Sequence, residues 1–423
     1  MIGIDFVFII TEQRFLEYGS DMHKDILMDL YQPNQTKIIL FVLDGLGGIQ
    51  KKDGGLTELE AARTPNLNKL AAEGMCGLHQ PIGPGITPGS GPAHLALFGY
   101  DPLKFEVGRG VLSALGINFE LNPADVAARG NFCTIDEKGR VKDRRAGRIS
   151  TEKNMQLCEV LGGIELPEVE ILIETVKEHR FLFVLRGEDL SGKVSDTDPQ
   201  ILNVEPKPPE PQDYEASKTA ALVSVFLEQA KKKLSQHHPA NMVLLRGFSQ
   251  KPEWPSFKDI FGLKAAAIAG YPMYRGVAKL VGMTILDNKS DQLEDEIKVM
   301  KEAWNDYEFF FIHYKATDSA GEDGDFERKA ALIEEVDKAV PKFLEFDPDV
   351  LIITGDHSTP TSLKSHSWHP VPVLIWSKNC RIDPVREFGE RACMSGGLGV
   401  NFPAVNLMPL ALAESGRLKK YGA

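Results

Sequence analysis

The sequence predicts an α/β chain in which a sheet-based domain is interrupted by a smaller inserted α/β domain. Three observations carry this. Ile38-Ile39-Leu40-Phe41-Val42-Leu43, Glu308-Phe309-Phe310-Phe311-Ile312 and Val350-Leu351-Ile352-Ile353 are nearly unbroken apolar runs of strand length, the pattern of strands covered on both faces. Each gives way to polar, turn-forming residues: Asp44-Gly45-Leu46-Gly47-Gly48, His313 to Asp318, and Thr354-Gly355-Asp356-His357. Between the first run and the other two, the stretch 118–280 changes character, with strands, a proline-rich run and an amphipathic helix of its own.

After the first strand, Thr64-Pro65 predicts a helix start, with Thr64 as N-cap, Pro65 at the first helical position, and Leu67, Leu70 and Ala71 on one face. Within the insert, Val169 to Val176, Phe181 to Leu185 and Met242 to Leu245 read as strands, the last ending at Arg246. Glu215 to Leu234 reads as a helix. Pro199, Pro206, Pro208, Pro209 and Pro211 exclude regular helix or central strand from Ser195 to Pro211, which is expected to be an extended surface connection. The expected division is a first domain over 37–117 and 281–423, an insert over 118–280, and an N-terminal extension over 1–36. In that extension Ile2 to Ile10 is apolar apart from Asp5, but no basic residue precedes it, so it makes a poor signal peptide. It reads as an added surface strand or helix, or as residues ahead of a start at Met22 or Met28.

Composition limits the function. A chain of 423 residues, 43% hydrophobic, can bury a large core and should hold two domains. Cys76, Cys133, Cys158, Cys380 and Cys393 lack Cys-x-x-Cys spacing, which argues against a disulfide framework or thiolate zinc site and fits a reducing cytoplasm. A net charge of −12 with no offsetting basic stripe argues against nucleic acid as a partner. It also means that an anionic substrate needs arginines, lysines or metal ions close by. No apolar run reaches the roughly 18 residues of a membrane span. A homo-oligomer is left open.

Chemistry is expected where the strand ends meet, because open α/β sheets bind ligands beyond the carboxyl ends of their strands. Asp44, Asp318, Asp356, His357 and His366 are oxygen and imidazole donors of the types that hold Mg²⁺, Mn²⁺ or Zn²⁺. Ser90 lies in the turn Thr87-Pro88-Gly89-Ser90-Gly91-Pro92-Ala93-His94. Two ions roughly 4 Å apart would polarise a phosphoryl group and turn a weak serine hydroxyl into a nucleophile. Singly, each residue has an ordinary explanation, since aspartates at strand ends form turns and cap helices. Their concurrence points to phosphoryl chemistry. Asp143-Arg144-Arg145-Ala146-Gly147-Arg148 places three arginines within five residues, and Arg246 belongs to the same insert. Their planar forks suit carboxylate and phosphate, although such a run is commonly just a solvated face. Lys279 and Lys315 are weaker candidates for phosphate contact. His94, His313, His369 and the pair His237-His238 read as structural or surface residues.

These motifs, in order, resemble the archaeal-type, cofactor-independent phosphoglycerate mutases of the alkaline phosphatase superfamily. The resemblance runs from Lys37 to Ala423. It is carried by Val42-Leu43-Asp44-Gly45-Leu46-Gly47, Ala62-Arg63-Thr64-Pro65-Asn66-Leu67, Gly89-Ser90-Gly91-Pro92-Ala93-His94, Asp143 to Arg148, Ser195-Asp196-Thr197-Asp198-Pro199, Thr354-Gly355-Asp356-His357-Ser358 and His366-Ser367. It implies an alkaline-phosphatase-like three-layer αβα domain with an inserted substrate-binding lid. It implies interconversion of 3- and 2-phosphoglycerate through a phosphoserine on Ser90, without bisphosphoglycerate, in glycolysis and gluconeogenesis. Asp44, Ser90, Asp356 and His357 would hold one metal ion, and Asp318 and His366 a second; Mn²⁺ or Mg²⁺ come first, with Co²⁺ or Zn²⁺ as alternatives. Arg144 and Arg148, then Arg145, Arg246, Lys279 and Lys315, would hold the substrate. Closure of the insert would exclude water from the phosphoserine. One departure stands out: in Lys315-Ala316-Thr317-Asp318-Ser319-Ala320-Gly321-Glu322, the family pattern has a metal-binding histidine at Glu322. The expectation is that Glu322 still ligates, through oxygen. The alternatives are a phosphatase or another phosphomutase of the same superfamily, or a silent binder of phosphorylated metabolites.

Overall fold

The computed structural model describes residues 26–50, 54–288, 290 and 292–422. Most of the expected N-terminal extension, residues 1–25, lies outside the described residues; 26–30 are helical. The chain divides into two compact units. The first takes the described residues up to Lys104, then Pro255–Gly270 and the chain from Val281 onward; the second takes Phe105–Trp254 and Tyr271–Leu280. The second unit thus starts earlier than the expected 118–280, ends at the same residue, and is interrupted by Pro255–Gly270. The glycine-rich helix Arg109–Gly116 belongs to it, whereas the alanine-rich strand after Leu263 returns to the first unit.

Strands β1 (Ile38–Leu43) and β2 (Met75–Gln80) begin the first unit. The second holds β3 (Val126–Ile135), β4 (Val141–Asp143), β5 (Glu170–Lys177), β6 (Arg180–Arg186) and β7 (Met242–Ser249). Then β8 (Ala265–Ala269), β9 (Thr284–Ile285), β10 (Phe309–Tyr314), β11 (Val350–Thr354), β12 (Val371–Ser377) and β13 (Gly399–Pro403) complete the first.

In the first unit these strands form one sheet ordered β13-β2-β12-β11-β1-β10-β8-β9. All six residues of β1 are buried, as its unbroken apolar run requires. It lies between β11 and β10 and parallel to both, so Asp44, Lys315 and Asp356 leave the sheet at the same edge. On one face Ile39, Phe41, Phe310 and Ile312 pack with Leu67 and Leu70 of the helix Pro65–Ala72 and with Ile333, Val336 and Phe343 of Phe326–Leu344. On the other, the Phe311 ring lies 4.9 Å from Phe98 and Phe309 lies 4.8 Å from Phe257, both carried by helical segments. This is the three-layer αβα arrangement. Thr64 does occupy the N-cap position of Pro65–Ala72, but its side chain makes no capping bond. Instead Asp337 accepts from the N–H groups of Asn66 and Leu67 at 2.9 and 2.8 Å, a long-range cap that no local pattern reveals.

The second unit is built on an antiparallel sheet in which β3 pairs with β6 and β7, and β6 with β5. Helices Thr151–Gly162 and Ser217–Leu234 cover one face through Leu157, Leu161, Val223 and Phe226, against Phe132, Phe181 and Phe183. On the opposite face Arg129 of β3 stands across from Arg246 of β7, so Arg246 lies within its strand rather than at its end. The segment Ser195–Pro211 is not wholly a surface connection. Thr197 and Asp198 are buried, and Thr197 exchanges hydrogen bonds with Leu245 of β7. Among the described residues, no helix is long and apolar enough to cross a membrane.

Candidate active site

The parallel register of β1, β10 and β11 decides which side chains meet. Asp44 follows β1, and its Oδ2 lies 3.0 Å from Lys315 Nζ and 3.3 Å from His313 Nε2, both contributed by β10 and its end. Asp356 and His357 follow β11. The N–H of Gly45, in the left-handed region at φ +64°, donates to Asp356 Oδ1 at 3.0 Å and joins the two turns. Ser90 begins the helix Ser90–Leu97, and its Oγ lies 3.2 Å from His357 Nε2. His366 stacks on His357 with ring centroids 3.6 Å apart, and its Nδ1 is 3.0 Å from the Pro88 carbonyl in the serine turn. A ring nitrogen facing a carbonyl must carry the proton, so His366 Nε2 is left as a bare donor.

Two groups of donor atoms result, each within 4.8 Å: Asp44, Asp356 and His357, and Asp318, His357 and His366. His357 is common to both. Burial alone would raise the Asp44 carboxyl, but Lys315 and the bond from His313 hold it well below the usual carboxylate range. Asp356 goes the other way: burial first, then the charge of Asp44, push it well above its ordinary value. Asp356 Oδ2 is buried and makes no hydrogen bond among the described residues. The protein alone therefore under-compensates this cluster of carboxylates. The Lys315 ammonium, 2.5 Å from Asp318 Oδ2 and 3.0 Å from Asp44 Oδ2, already occupies a cation's place between two of them. Carboxylate oxygens with two imidazole nitrogens make a donor set that fits divalent ions of the Mn²⁺ kind.

Glu322 stands apart from both groups. It is exposed on the helix Ala316–Asp323 and belongs to neither donor group, whereas Asp318, one turn earlier, is buried. His94 and His313, expected to be structural or surface residues, lie beside the donor groups. Both are buried in the site, His94 with Nδ1 2.8 Å from the Ser90 carbonyl and 3.4 Å from Asp356 Oδ2.

In the second unit the expected arginines behave differently from one another. Arg144 is engaged by Asp198 through two bonds of 2.8 and 2.6 Å. Arg246 lies beside Asp196 and Asp198, at 3.3 and 3.6 Å. Arg145 and Arg148 are exposed, and Lys279 reaches Asn118 at 3.3 Å. Arg129, Arg180 and Arg246 share one face of the antiparallel sheet. Burial, then the neighbouring Arg109, Arg180 and Arg246, depress the Arg129 guanidinium to about 9. Burial and Arg180, Arg145, Arg129 and Arg148 likewise hold His179 down at about 3. Like charges gathered against desolvation are costly unless an anion joins them. Arg129, Arg180 and Arg246 are scattered through the sequence, and strand pairing brings them together.

Residues 71–241 match the family of 2,3-bisphosphoglycerate-independent phosphoglycerate mutases. A probable enzyme of that name from Thermus thermophilus is 50% identical over 404 residues, which is 94% of this chain and 99% of the relative. Among solved structures, a protein from Pyrococcus horikoshii aligns with a TM-score of 0.79 at 31% identity, over 92% of this chain and 100% of that one. A cofactor-independent phosphoglycerate mutase from Thermoplasma acidophilum aligns at 0.65 and 30%, over 90% and 100%. With identity of this order over nearly the whole of both chains, the chain belongs to the 2,3-bisphosphoglycerate-independent phosphoglycerate mutases.

Proposed function

We propose that the chain interconverts 3-phosphoglycerate and 2-phosphoglycerate through a phosphoserine on Ser90, at a centre of two divalent ions. The observation that carries this reading is the meeting of Ser90 Oγ with His357 Nε2, 3.2 Å apart, at the junction of the two donor groups. Asp44, Ser90, Asp356 and His357 would hold one ion, and Asp318 and His366 the other, with Mn²⁺ or Mg²⁺ the best match to these donors. When bound, the ions supply Lewis acidity toward the phosphoryl oxygens and lower the pKa of the serine hydroxyl. Ser90 Oγ forms a bond to phosphorus while the bond to the substrate 3-oxygen breaks. Glycerate then reorients, its 2-oxygen takes the phosphoryl group, and Ser90 is released. Lys315, beside Asp44 and Asp318, keeps the Asp44 carboxyl ionised for its task.

The substrate carries a carboxylate and a phosphate, and the arginine face of the second unit supplies matching forks in Arg129, Arg180, Arg246 and Arg109. Arg144 supports Asp198 from the same strand system, and Arg145, Arg148 and Lys279 add positive field. The reaction belongs to glycolysis and gluconeogenesis, in the cytoplasm. The direct test is to mix the Mn²⁺-loaded chain with 3-phosphoglycerate, quench, and map phosphopeptides by mass spectrometry. Phosphate on Ser90, and its absence together with all turnover in Ser90→Ala, is the expected result; full turnover by Ser90→Ala would refute the assignment.

A further inference from the structure

We propose that Thr359 is a positioning residue that sets the tautomer of His357 and ties the two donor groups together. The inference rests on the reading of those groups as a metal centre. Thr359 Oγ1 lies 2.7 Å from Asp318 Oδ1 and 3.0 Å from His357 Nδ1, so one hydroxyl touches a donor residue of each group. Its single proton has only one sensible destination. A carboxylate can accept but not donate, so the hydroxyl donates to Asp318. Its oxygen then accepts the N–H of His357 Nδ1. An imidazole that ligates a metal is neutral and carries one N–H, so Nε2 is left with its lone pair. That bare nitrogen points where it is needed, 3.2 Å from Ser90 Oγ, 3.2 Å from Asp356 Oδ2 and 3.4 Å from Asp44 Oδ1.

The hydroxyl is held rather than free to rotate away. Thr359 is buried, its N–H donates to the Gly47 carbonyl at 3.0 Å, and its own carbonyl accepts from the buried Lys329 ammonium at 2.9 Å. Lys329 also donates to the carbonyls of Gly45 and Gly47, at 2.8 and 3.1 Å, so the turn after β1 and the segment after β11 share one post. Gly45 closes the slot: a Cβ there would stand 2.6 Å from Thr359 Oγ1 and 2.8 Å from Asp318 Oδ1. With the hydroxyl fixed, Asp318 and His357 cannot move independently, and binding at either donor group is felt at the other.

The test uses the full chain with Thr359→Val, which keeps the shape and removes the hydroxyl, and Thr359→Ser, which restores it. Mn²⁺ affinity is read by equilibrium dialysis, and the His357 ring nitrogens by NMR of the ¹⁵N-histidine-labelled chain loaded with diamagnetic Zn²⁺, assigned by loss of the signal in His357→Gln. The expected result is a loss of Mn²⁺ affinity of about 10- to 100-fold in Thr359→Val, recovered in Thr359→Ser. The wild-type His357 ring should be the Nδ1–H tautomer. Unchanged affinity in Thr359→Val, an equal loss in Thr359→Ser, or an Nε2–H ring in the wild type would each overturn the proposal. The wild-type ring spectrum decides the matter even if Thr359→Val does not fold. Failure of the wild-type chain to take up Mn²⁺ or Zn²⁺ would instead count against the metal centre itself.

Discussion

Gly45→Ala is the substitution that most sharply tests the packing of the centre. Gly45 adopts φ +64°, and its new methyl would meet Thr359 Oγ1 at 2.6 Å, Asp318 Oδ1 at 2.8 Å and Asp318 Cβ at 2.9 Å. A left-handed alanine costs about 1–2 kcal/mol, and forcing a methyl into a filled interior costs typically about 1–3 kcal/mol more. The sum is about 2–5 kcal/mol of destabilisation, and relief is available only by moving Asp318 or Thr359. The right control is Gly85→Ala. Gly85 has φ +77° but nothing within 4 Å of the added Cβ, so only the backbone term of about 1–2 kcal/mol applies. Urea denaturation of both variants gives the stability difference, and Mn²⁺ dialysis gives the consequence for the site. Gly45→Ala should be the less stable of the two and should lose Mn²⁺ affinity, which Gly85→Ala should keep. Equal losses of stability, or wild-type Mn²⁺ affinity in Gly45→Ala, would refute the reasoning.

Other expectations concern single side chains. Arg129→Met should raise KM for 3-phosphoglycerate by about 10-fold or more, as for loss of a charge-assisted bond of about 1.5–3 kcal/mol, while raising the melting temperature, because burial and three neighbouring arginines oppose its charge. A lowered melting temperature with unchanged KM would remove Arg129 from the substrate set. Glu322→Gln should leave Mn²⁺ stoichiometry unaltered, since Glu322 is exposed and outside both donor groups; loss of one ion would restore it as a ligand. His179 is held at about 3 in the folded chain, first by burial and then by Arg180 and its neighbours, against about 6.5 unfolded. The unfolded state therefore binds the proton more readily, and stability falls as pH drops from about 6.5 toward about 3. His179→Gln should flatten that part of the denaturation-versus-pH curve, and an unchanged slope would contradict it.

The first unit was largely legible in the sequence because its buried parallel strands are continuous apolar runs, and Asp44, Asp356 and His357 stand directly after them. Ser90 was legible from its turn. Glu322 was singled out because it stands where the family pattern has a histidine, and the helix Ala316–Asp323 buries Asp318 but leaves Glu322 exposed. His94 and His313 were read as structural or surface residues because a lone histidine in an apolar segment has no local mark of function. Of the arginine face, only Arg246 could be singled out from the sequence. Arg129, Arg180 and Arg246 lie on three strands whose antiparallel pairing, not their spacing in the chain, puts them side by side. Asp337, which caps a helix about 270 positions away in sequence, was hidden for the same reason.

The most direct test of the central claim is turnover of 3-phosphoglycerate by the metal-stripped chain, with Mn²⁺, Mg²⁺, Co²⁺ or Zn²⁺ restored in turn and no bisphosphoglycerate present. Following 2-phosphoglycerate and free phosphate together separates transfer from hydrolysis. A mutase with a two-ion centre predicts metal-dependent 2-phosphoglycerate with little free phosphate. Free phosphate as the sole product, or 2-phosphoglycerate formed equally well without any metal, would contradict it.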